Sequence, residues 1–379
     1  MKNIGIYVHI PFCKKKCDYC DFISFANQED MQEKYVMALN NDIEKTSKTI
    51  QEYQVNTIYF GGGTPSYIDE NLIVKILENI KNHYTICEDA EITIEINPGT
   101  VNKEKLIIYK QAGFNRLSIG LQSTHDRLLK LIGRIHTYNE FLETYNLARE
   151  VGFKNINVDL MLALPTQTIE ELIESTNKII SLKPEHISIY SLILEDGTVL
   201  YNKIQNNELE LIDEDLERKM YWKTKEILEK NGYNHYEISN FAKKGFESKH
   251  NMNCWLQEEY LGFGVAAHSY FNNKRFSRIS NLQEYIKNIE EENFEKIIEI
   301  NEIQDREARA KEYMLLGLRK IEGVSISAFE RKFEINPLFY FRFEISKLEE
   351  NDLLEVDLDN IKLTKKGLDL ANQVFEEFV

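Results

Sequence analysis

Three of the five cysteines, Cys13, Cys17 and Cys20, lie close together near the start of the sequence, with three and then two residues between them. Thiolates on one short loop can converge on a soft metal, and this C-x3-C-x2-C spacing suits three corners of a cubane [4Fe-4S] cluster. The fourth iron of such a cluster would keep a vacant position for an external ligand. The spacing therefore predicts a metal centre that is open to chemistry.

Zinc and a disulfide are the alternatives for the same cysteines. A structural zinc site takes four protein ligands, but the residues that follow Cys20 are Asp21 and Phe22, which supply no fourth thiol. A disulfide would need an oxidising compartment. The spacing favours the cluster, and both alternatives stay open at this point.

Radical S-adenosylmethionine (SAM) proteins share this cysteine spacing, and the chain resembles them over a longer stretch. YVHIPFC at 7–13 and DYCDF at 18–22 resemble the opening of the oxygen-independent coproporphyrinogen III oxidase family. In that family the dehydrogenase branch has a further cysteine two residues after the third, whereas the HemW-like haem-chaperone branch has phenylalanine. Phe22 gives this chain its likeness to the chaperone branch, and the resemblance runs over nearly the whole chain.

The segment GGGTP at 61–65 follows a predicted strand, and its glycines allow the backbone to approach a ligand closely. A tight turn is the alternative. The segment resembles the radical SAM glycine motif, which implies that Gly62, Gly63 and Thr64 hold the amino and carboxylate groups of the methionine part of SAM.

Four polar residues, Glu95, Gln122, Arg134 and Asp159, stand where apolar side chains would be expected in a barrel interior. Burying such groups is costly unless they bind something. Glu95 resembles the family glutamate that contacts the SAM ribose, and the other three resemble positions that line a second SAM or substrate site in the dehydrogenase branch. An internal salt bridge between Arg134 and a carboxylate is the alternative.

The sequence evidence for a functional role is weaker for two tyrosines and one histidine near the cysteines. Tyr7 and Tyr19 resemble the family's aromatic contacts to the cofactor, although an aromatic residue near a strand end is often part of the core. His9 precedes the cysteine loop, and the resemblance implies that it supports the loop and does not bind iron.

HNMNCW at 250–255 resembles the H-N-x-x-Y-W motif of the chaperone branch, which is implicated in haem handling. His250 could offer an imidazole to haem iron, with Trp255 and Tyr260 packed on the porphyrin face. Cys254 departs from the motif, because tyrosine is usual there. A packed thiol, an axial haem ligand and a cluster ligand are all open for Cys254.

Short apolar runs alternate with helical patterns through the first two thirds of the chain, which is typical of a parallel sheet with helical crossovers. Predicted strands cover 4–9, 57–60, 91–97, 116–119, 155–160 and 186–192, and predicted helices cover 31–53, 72–83, 103–112, 138–151 and 169–182. The candidate site residues fall at or just beyond the carboxyl ends of the strands, where barrel active sites are built.

The fold class predicted from these elements and the resemblance is α/β, a partial (β/α)6 radical SAM barrel with a small C-terminal winged-helix-like α+β module. We expect the barrel over 1–240, an irregular connector with the haem-handling motif over 241–304, and the module over 305–379.

Charge argues against a nucleic-acid partner. The chain has a net charge of −16, and residues 305–379 hold 12 Lys or Arg and 16 Asp or Glu, a net charge of −4. Winged helices that bind DNA depend largely on neutralising phosphates. We therefore expect the module to act as a lid or a partner surface.

Apolar runs are far shorter than the ~20 residues of a membrane helix, and no secretory leader is visible. We therefore expect a cytoplasmic protein, with transient membrane contact through an acceptor left open.

The leading hypothesis is a haem chaperone that binds a [4Fe-4S] cluster, SAM and haem and delivers haem to acceptor proteins such as membrane-bound respiratory subunits. The alternative is radical SAM oxidative decarboxylation of coproporphyrinogen III to protoporphyrinogen IX. Whether the chain is an enzyme, whether it forms a homodimer and how many SAM molecules it binds stay open.

Overall fold

The computed structural model describes all 379 residues, and six parallel strands in chain order form its centre. They are β1 (Lys2–Ile10), β2 (Tyr53–Gly62), β3 (Thr85–Ile96), β4 (Arg116–Gln122), β5 (Ile156–Leu162) and β6 (His186–Ser191). Each strand pairs in parallel with the next. All six predicted strands are present, so the predicted α/β fold is confirmed.

Helices connect and follow these strands. They are α1 (Gln32–Ser47), α2 (Glu70–His83), α3 (Lys103–Ala112), α4 (Asp126–Leu131), α5 (Tyr138–Val151), α6 (Ile169–Leu182), α7 (Val199–Gln205), α8 (Glu214–Lys230), α9 (Lys249–Trp255) and α10 (Leu282–Glu290). The helix predicted over 31–53 is too long, because Tyr53 and Gln54 pair with Lys2 and Asn3 as the start of β2.

Capping residues explain where several of the helices begin and end. Thr137 and Thr168 each form a capping box with a glutamate three residues on, which satisfies backbone N–H groups at the start of α5 and α6. Gly113 and Gly152 close α3 and α5 in the left-handed conformation, with φ of 106° and 96°.

The core lies between the sheet and the helices. In α2, Ile73, Ile76, Leu77 and Ile80 are all fully buried, and their spacing of three and four residues puts them on one face. Burial of each such side chain stabilises the fold by about 1.5–3 kcal/mol. This packing holds the parallel strands in register and fixes where their carboxyl ends lie.

The sheet continues beyond the six central strands on both sides. The further strands are β7 (Asn234–Glu237), β8 (Asn240–Ala242), β9 (Tyr260–Phe263), β10 (His268–Phe271), β11 (Lys274–Arg278) and β12 (Ile298–Ile303). The order is β12-β11-β10-β9-β1-β2-β3-β4-β5-β6-β8-β7, so the sheet is open and no pairing closes it into a full barrel. β9 runs parallel to β1, and the other additions are antiparallel.

Residues 241–304 are therefore more regular than the connector expected from the sequence. Asn272 and Asn273, with φ of 49° and 59°, form the two-residue turn between β10 and β11. Positive φ at both central residues is the geometry of a type I′ hairpin, which asparagine tolerates. The segment extends the main sheet and does not merely link two units.

The C-terminal module has its own core, which contains Phe329, Phe333, Phe341 and Phe375. Its elements are α11 (Arg306–Gly317), β13 (Val324–Ser325), α12 (Ile326–Phe333), α13 (Pro337–Tyr340), α14 (Arg342–Glu350), β14 (Leu354–Val356), β15 (Asn360–Leu363), α15 (Lys365–Asp369) and α16 (Ala371–Glu376). β13, β15 and β14 form a small antiparallel sheet beside the helices, as in a winged helix. Thr364 caps α15, because its side chain accepts a hydrogen bond from the Gly367 N–H.

Membrane-spanning helices are absent, since every helix is too short or too polar to cross a bilayer.

Candidate metal centre and cofactor cavity

One large cavity of about 540 Å³ opens at the carboxyl ends of the parallel strands. Eleven of the thirteen predicted site residues line it: Cys13, Cys17, Tyr19, Cys20, Gly62, Gly63, Thr64, Glu95, Gln122, Arg134 and Asp159. Tyr7 and His250 do not line it. The side chains come from five strands and the loops after them, which explains why positions far apart in sequence meet.

The cysteine loop is held by neighbouring segments on both sides of Cys17. Phe12 and Cys13 form a short parallel ribbon with Phe25 and Ala26. Asp18 donates its backbone N–H to the Ile132 carbonyl at 3.0 Å and pairs with Lys203 at 2.7 Å. The three thiols are free and share the cavity wall.

The thiols are not arranged around a single point, since no group of three His, Cys, Asp or Glu side chains could hold one metal ion. Cluster ligands need no such convergence, because each thiolate of a cubane binds a different iron. Burial raises the pKa of the Cys20 thiol to about 11. A bound metal reverses this preference, because it stabilises the thiolate.

Close packing within the protein requires glycine at both Gly62 and Gly63. Gly63 donates its N–H to Ile10 O at 2.9 Å, and a Cβ at Gly63 would lie 2.9 Å from Phe12 O. Gly62 has a φ of 109°, and a Cβ there would meet the His9 ring at 2.5 Å. The glycines therefore let the cysteine loop pack directly on the end of β2, an approach of backbone to backbone that the sequence did not reveal.

His9 supports the cysteine loop, as the resemblance implied. It is 6% exposed, and its Nε2 lies 2.8 Å from Ile23 O while its Nδ1 lies 3.0 Å from the Tyr7 hydroxyl. This pairing needs the proton on Nε2, with Tyr7 donating to Nδ1. Burial lowers the pKa of His9 to about 4, which keeps the ring neutral.

Two carboxyl groups lie on the cavity floor. Glu95 accepts a hydrogen bond from the Tyr59 hydroxyl at 2.8 Å, and burial raises the pKa of Glu95 to about 7. Asp159 accepts from Asn157 Nδ2 at 2.7 Å and from Ser118 Oγ at 3.3 Å, and burial raises its pKa as well. The floor thus presents acceptors that are only partly satisfied by the protein.

Arg134 makes no ion pair. It donates to Asn97 Oδ1 at 2.7 Å, to Gly120 O at 2.5 Å and to the Cys17 thiol at 3.5 Å. Its Nε is buried without a partner. The internal salt bridge considered for Arg134 is therefore wrong, and one donor remains available to a ligand.

Gln122 lies at the end of β4 with a φ of 73°, which is an uncommon conformation for a residue with a side chain. Backbone strain of this kind persists where the surroundings impose it and is frequent at functional sites. The strained residue faces the same cavity as Arg134 and Asp159.

Sequence reasoning missed several residues of the cavity floor. Arg116 is 2% exposed, lies 3.9 Å from a Glu91 oxygen and has a buried Nε without a hydrogen bond. Asn157 Nδ2 donates to Ser118 Oγ at 2.8 Å, and Asn157 Oδ1 accepts from His186 Nδ1 at 2.6 Å. The available signal was a polar residue inside a predicted strand, as at Arg116 and Asn157.

His250 is buried beside the cavity floor. Its Nδ1 lies 2.9 Å from Thr57 Oγ1, and its ring stacks on Tyr59 at 5.2 Å between centroids. Burial lowers the pKa of His250 to about 4. The next residue, Asn251, does line the cavity. Direct coordination of haem iron by His250 stays a prediction.

The other end of α9 contacts the C-terminal module. The Arg319 guanidinium lies 4.7 Å from the Trp255 ring centroid, and Gln257 donates to Arg309 O at 3.0 Å. Burial raises the pKa of the Cys254 thiol to about 11, and this thiol does not line the cavity. α9 therefore joins the cavity floor to the module.

The residues present fit a [4Fe-4S] cluster and SAM. The donor set is three free thiols on one loop, which is the ligand type that iron–sulfur clusters use. Beside them lie a guanidinium nitrogen of Arg134 without a hydrogen-bond partner and the carboxyl groups of Glu95 and Asp159, whose pKa values burial raises. Buried polar groups without partners are rare unless something binds them.

The open α/β sheet and the three-thiol loop at its carboxyl edge define a radical SAM protein. The Radical SAM superfamily model matches residues 7–179, and the HemN C-terminal domain model matches residues 304–370. Over its whole length the chain superposes on coproporphyrinogen III oxidase (HemN) from Escherichia coli, a radical SAM enzyme, with a TM-score of 0.87 and 23% identity, covering 90% of that chain. This likeness establishes the fold.

Sequence relatives identify the family within that class. The chain is 39% identical to heme chaperone HemW of Bacillus subtilis (strain 168), covering 98% of each chain. It is 37% identical to heme chaperone HemW of Lactococcus lactis, covering 100% of this chain and 98% of that one. A mitochondrial radical S-adenosyl methionine domain-containing protein 1 from Danio rerio is 29% identical over 98% of this chain. The chain belongs to the HemW family of radical SAM proteins.

Proposed function

We propose that this protein is a haem chaperone, which binds haem and delivers it to acceptor proteins. The observation that carries the proposal is the full-length likeness to proteins named heme chaperone HemW, at 39% and 37% identity. The oxidase that shares the fold is only 23% identical. The role is one of binding and transfer.

Cys13, Cys17 and Cys20 would hold a [4Fe-4S] cluster, and the cavity beside them would hold SAM. When bound together, these groups supply reductive chemistry at the open iron. The Gly62, Gly63 and Thr64 backbone would receive the methionine part of SAM, and Glu95 the ribose. On this proposal the remaining polar groups, Gln122, Arg134 and Asp159, orient what lies deeper in the cavity, and Tyr19 packs against it.

The decarboxylation of coproporphyrinogen III is the competing activity, and one residue argues against it. Phe22 lines the cavity and is 64% exposed at the position where the dehydrogenase branch carries a further cysteine. Phenylalanine can neither bind a metal nor exchange protons. A chain with Phe22 lacks a thiol that the dehydrogenase branch has beside its cluster.

His250 would contribute to haem handling through its neighbours. It stacks on Tyr59 and precedes Asn251, and both of these residues line the cavity. The ring centroid of Tyr7 lies 6.5 Å from that of His250, so Tyr7, His250 and Tyr59 form a short row of rings beside the cavity. We propose that this row sets the shape of the site.

Acceptors on this proposal are haem proteins such as membrane-bound respiratory subunits, met from the cytoplasmic side. The exposed aromatic residues of the C-terminal module, Phe339 and Phe343, are 74% and 70% exposed and provide an apolar surface for such contacts. A homodimer is compatible with the same surface.

The test uses the full chain with its cluster reconstituted under anaerobic conditions. Haem titration followed at the Soret band, then mixing with an apo-cytochrome, should give stoichiometric binding followed by transfer. Catalytic formation of protoporphyrinogen from coproporphyrinogen III, in the presence of SAM and a reductant, would instead make the protein an oxidase.

A further inference from the structure

The volume of the cavity limits where a haem can lie. At about 540 Å³ the cavity has room for one drug-sized molecule, because such sites typically measure about 300–1,000 Å³. The cluster and SAM would already take this space. A haem bound at the same time must therefore lie across the cavity mouth, with part of its surface in solvent.

Two large apolar side chains lie in solvent at that mouth. Phe22, on the cysteine loop, is 64% exposed, and Ile193, on the loop after β6, is 68% exposed. Both line the cavity although they belong to loops from opposite parts of the sheet order. Exposed apolar side chains gathered at a cavity mouth mark binding surfaces more often than scattered ones do.

Two lysines stand on the same rim in a chain of net charge −16. Lys15 and Lys16 both line the cavity, and Lys16 Nζ donates to Phe22 O at 2.9 Å, which places one ammonium beside the Phe22 backbone. The Lys15 ammonium has no hydrogen-bond partner in the protein. An amine that is free, cationic and at the mouth of a cavity is suited to receive a carboxylate.

Haem matches this pattern, because it is a flat apolar ring with two carboxylates on one edge. Asp21 and Glu195 also line the cavity and would repel a carboxylate. Asp21 precedes Phe22 and Glu195 lies two residues after Ile193, so the propionates belong next to the ammonium groups of Lys15 and Lys16 and away from these carboxylates.

We propose that haem lies across the mouth of the cavity, with its ring on Phe22 and Ile193 and its propionates on Lys15 and Lys16. This haem-binding position rests on the proposed haem-chaperone function and adds where haem binds. It leaves the cargo accessible to an acceptor, because one face and the edge stay outside the cavity.

The test compares variants of the reconstituted full chain by haem titration, with iron and sulfide content measured in parallel. Ile193→Ser and Phe22→Ser should each weaken haem binding about tenfold, the effect of losing one well-packed apolar contact. Phe339→Ser removes an equally exposed ring from the C-terminal module and should change nothing. Ile193→Ser is the decisive variant, because Ile193 is not part of the loop that carries the cysteines.

Charge reversal tests the propionate contact. Lys15→Glu should weaken haem binding at least about tenfold at low salt and less at high salt, because screening reduces the contribution of an exposed charge pair. Lys14→Glu makes the same change on the same loop at an exposed residue that does not line this cavity, so its effect should be clearly smaller. Haem dimethyl ester, which lacks the carboxylates, should bind wild type and Lys15→Glu equally.

The outcomes of these experiments distinguish the proposed haem-binding position from the proposed haem-chaperone function. If the wild type binds haem and Ile193→Ser, Phe22→Ser and Lys15→Glu bind it with unchanged affinity, the proposed haem-binding position is wrong and the haem-chaperone proposal is unaffected. Absence of haem binding by the reconstituted wild type would overturn both.

Discussion

At the scale of single residues, the site is built from groups that the protein leaves incompletely satisfied. The Arg134 Nε is buried without a hydrogen-bond partner, the Glu95 carboxyl accepts a hydrogen bond from Tyr59, and three free thiols line the same cavity. Such groups destabilise an empty protein and favour its ligands. Changes at these residues should therefore separate ligand binding from folding.

Cys13→Ala should abolish cluster binding and leave the fold intact, because Cys13 belongs to a two-stranded ribbon outside the main sheet. Iron and sulfide analysis after anaerobic reconstitution measures the first effect. The metal-free variant should keep its unfolding midpoint within about 3 °C of the wild type. Cys87→Ala is the matched control and should retain the cluster. An unfolded Cys13→Ala protein would contradict this account.

Glu95→Gln tests the raised pKa of Glu95. Burial moves this pKa from 4.5 to about 7, so ionisation of the folded protein costs free energy above pH 7 and costs none below pH 4.5. The wild type should thus lose stability relative to Glu95→Gln as the pH rises between these values. Urea unfolding of the metal-free proteins should give a difference of about 1–3 kcal/mol at pH 8 that vanishes near pH 4.5. A difference that does not change with pH would refute the assignment.

His250→Ala should weaken haem binding and keep the cluster. The change removes the contact to Thr57 and the stacking on Tyr59, whose hydroxyl bonds Glu95 on the cavity floor. Soret titration and iron content measure the two properties on the same sample. His83→Ala, at an exposed position on α2, is the control. Unchanged haem affinity would mean that α9 serves only to join the barrel and the module.

At the scale of elements, the parallel strands position the site and a buried ion pair holds the added strands to them. Arg278 on β11 contacts both Asp42 oxygens on α1, at 2.9 and 3.0 Å, and Tyr285 on α10 donates to the same carboxylate at 2.9 Å. Both charged residues are at most 4% exposed. The pair therefore ties β11 and α10 to the first helix of the barrel.

Arg278→Met should destabilise the protein by about 3–5 kcal/mol, because it leaves the Asp42 carboxylate buried without its partner. Adding Asp42→Asn should recover part of this loss. Lys311→Met breaks an exposed pair with Glu307 and should cost less than about 1 kcal/mol. Urea denaturation of the three variants makes the comparison. Equal effects of Arg278→Met and Lys311→Met would show that the buried pair has no special role.

The elements that the sequence predicted well are those with strong local periodicity. Bounds of α3, α5 and α6 agree with the predicted helices, because their apolar spacing and caps lie within each segment. The hairpin at Asn272 and Asn273 was missed, because its strands are only four or five residues long. Short strands carry too few alternations to stand out from a loop.

At the scale of the whole molecule, the sheet brings distant motifs to one edge. The cysteine loop and the glycine motif were predictable because each is a short local pattern. Arg116, Asn157 and Tyr59 were missed: a polar residue inside a predicted strand was a signal at the first two, but which face of the sheet a side chain lies on depends on register with strands far away in sequence. The chain belongs to the HemW family, and it shares its fold with coproporphyrinogen III oxidase.

The proposed function requires that the folded, cluster-loaded protein binds haem and gives it up to an acceptor. The decisive measurement is haem titration of the anaerobically reconstituted full chain, followed at the Soret band. We expect saturation at one haem per chain, loss of that haem to an apo-cytochrome, and no protoporphyrinogen from coproporphyrinogen III. Absence of a saturable Soret change, or catalytic turnover of coproporphyrinogen III, would contradict it.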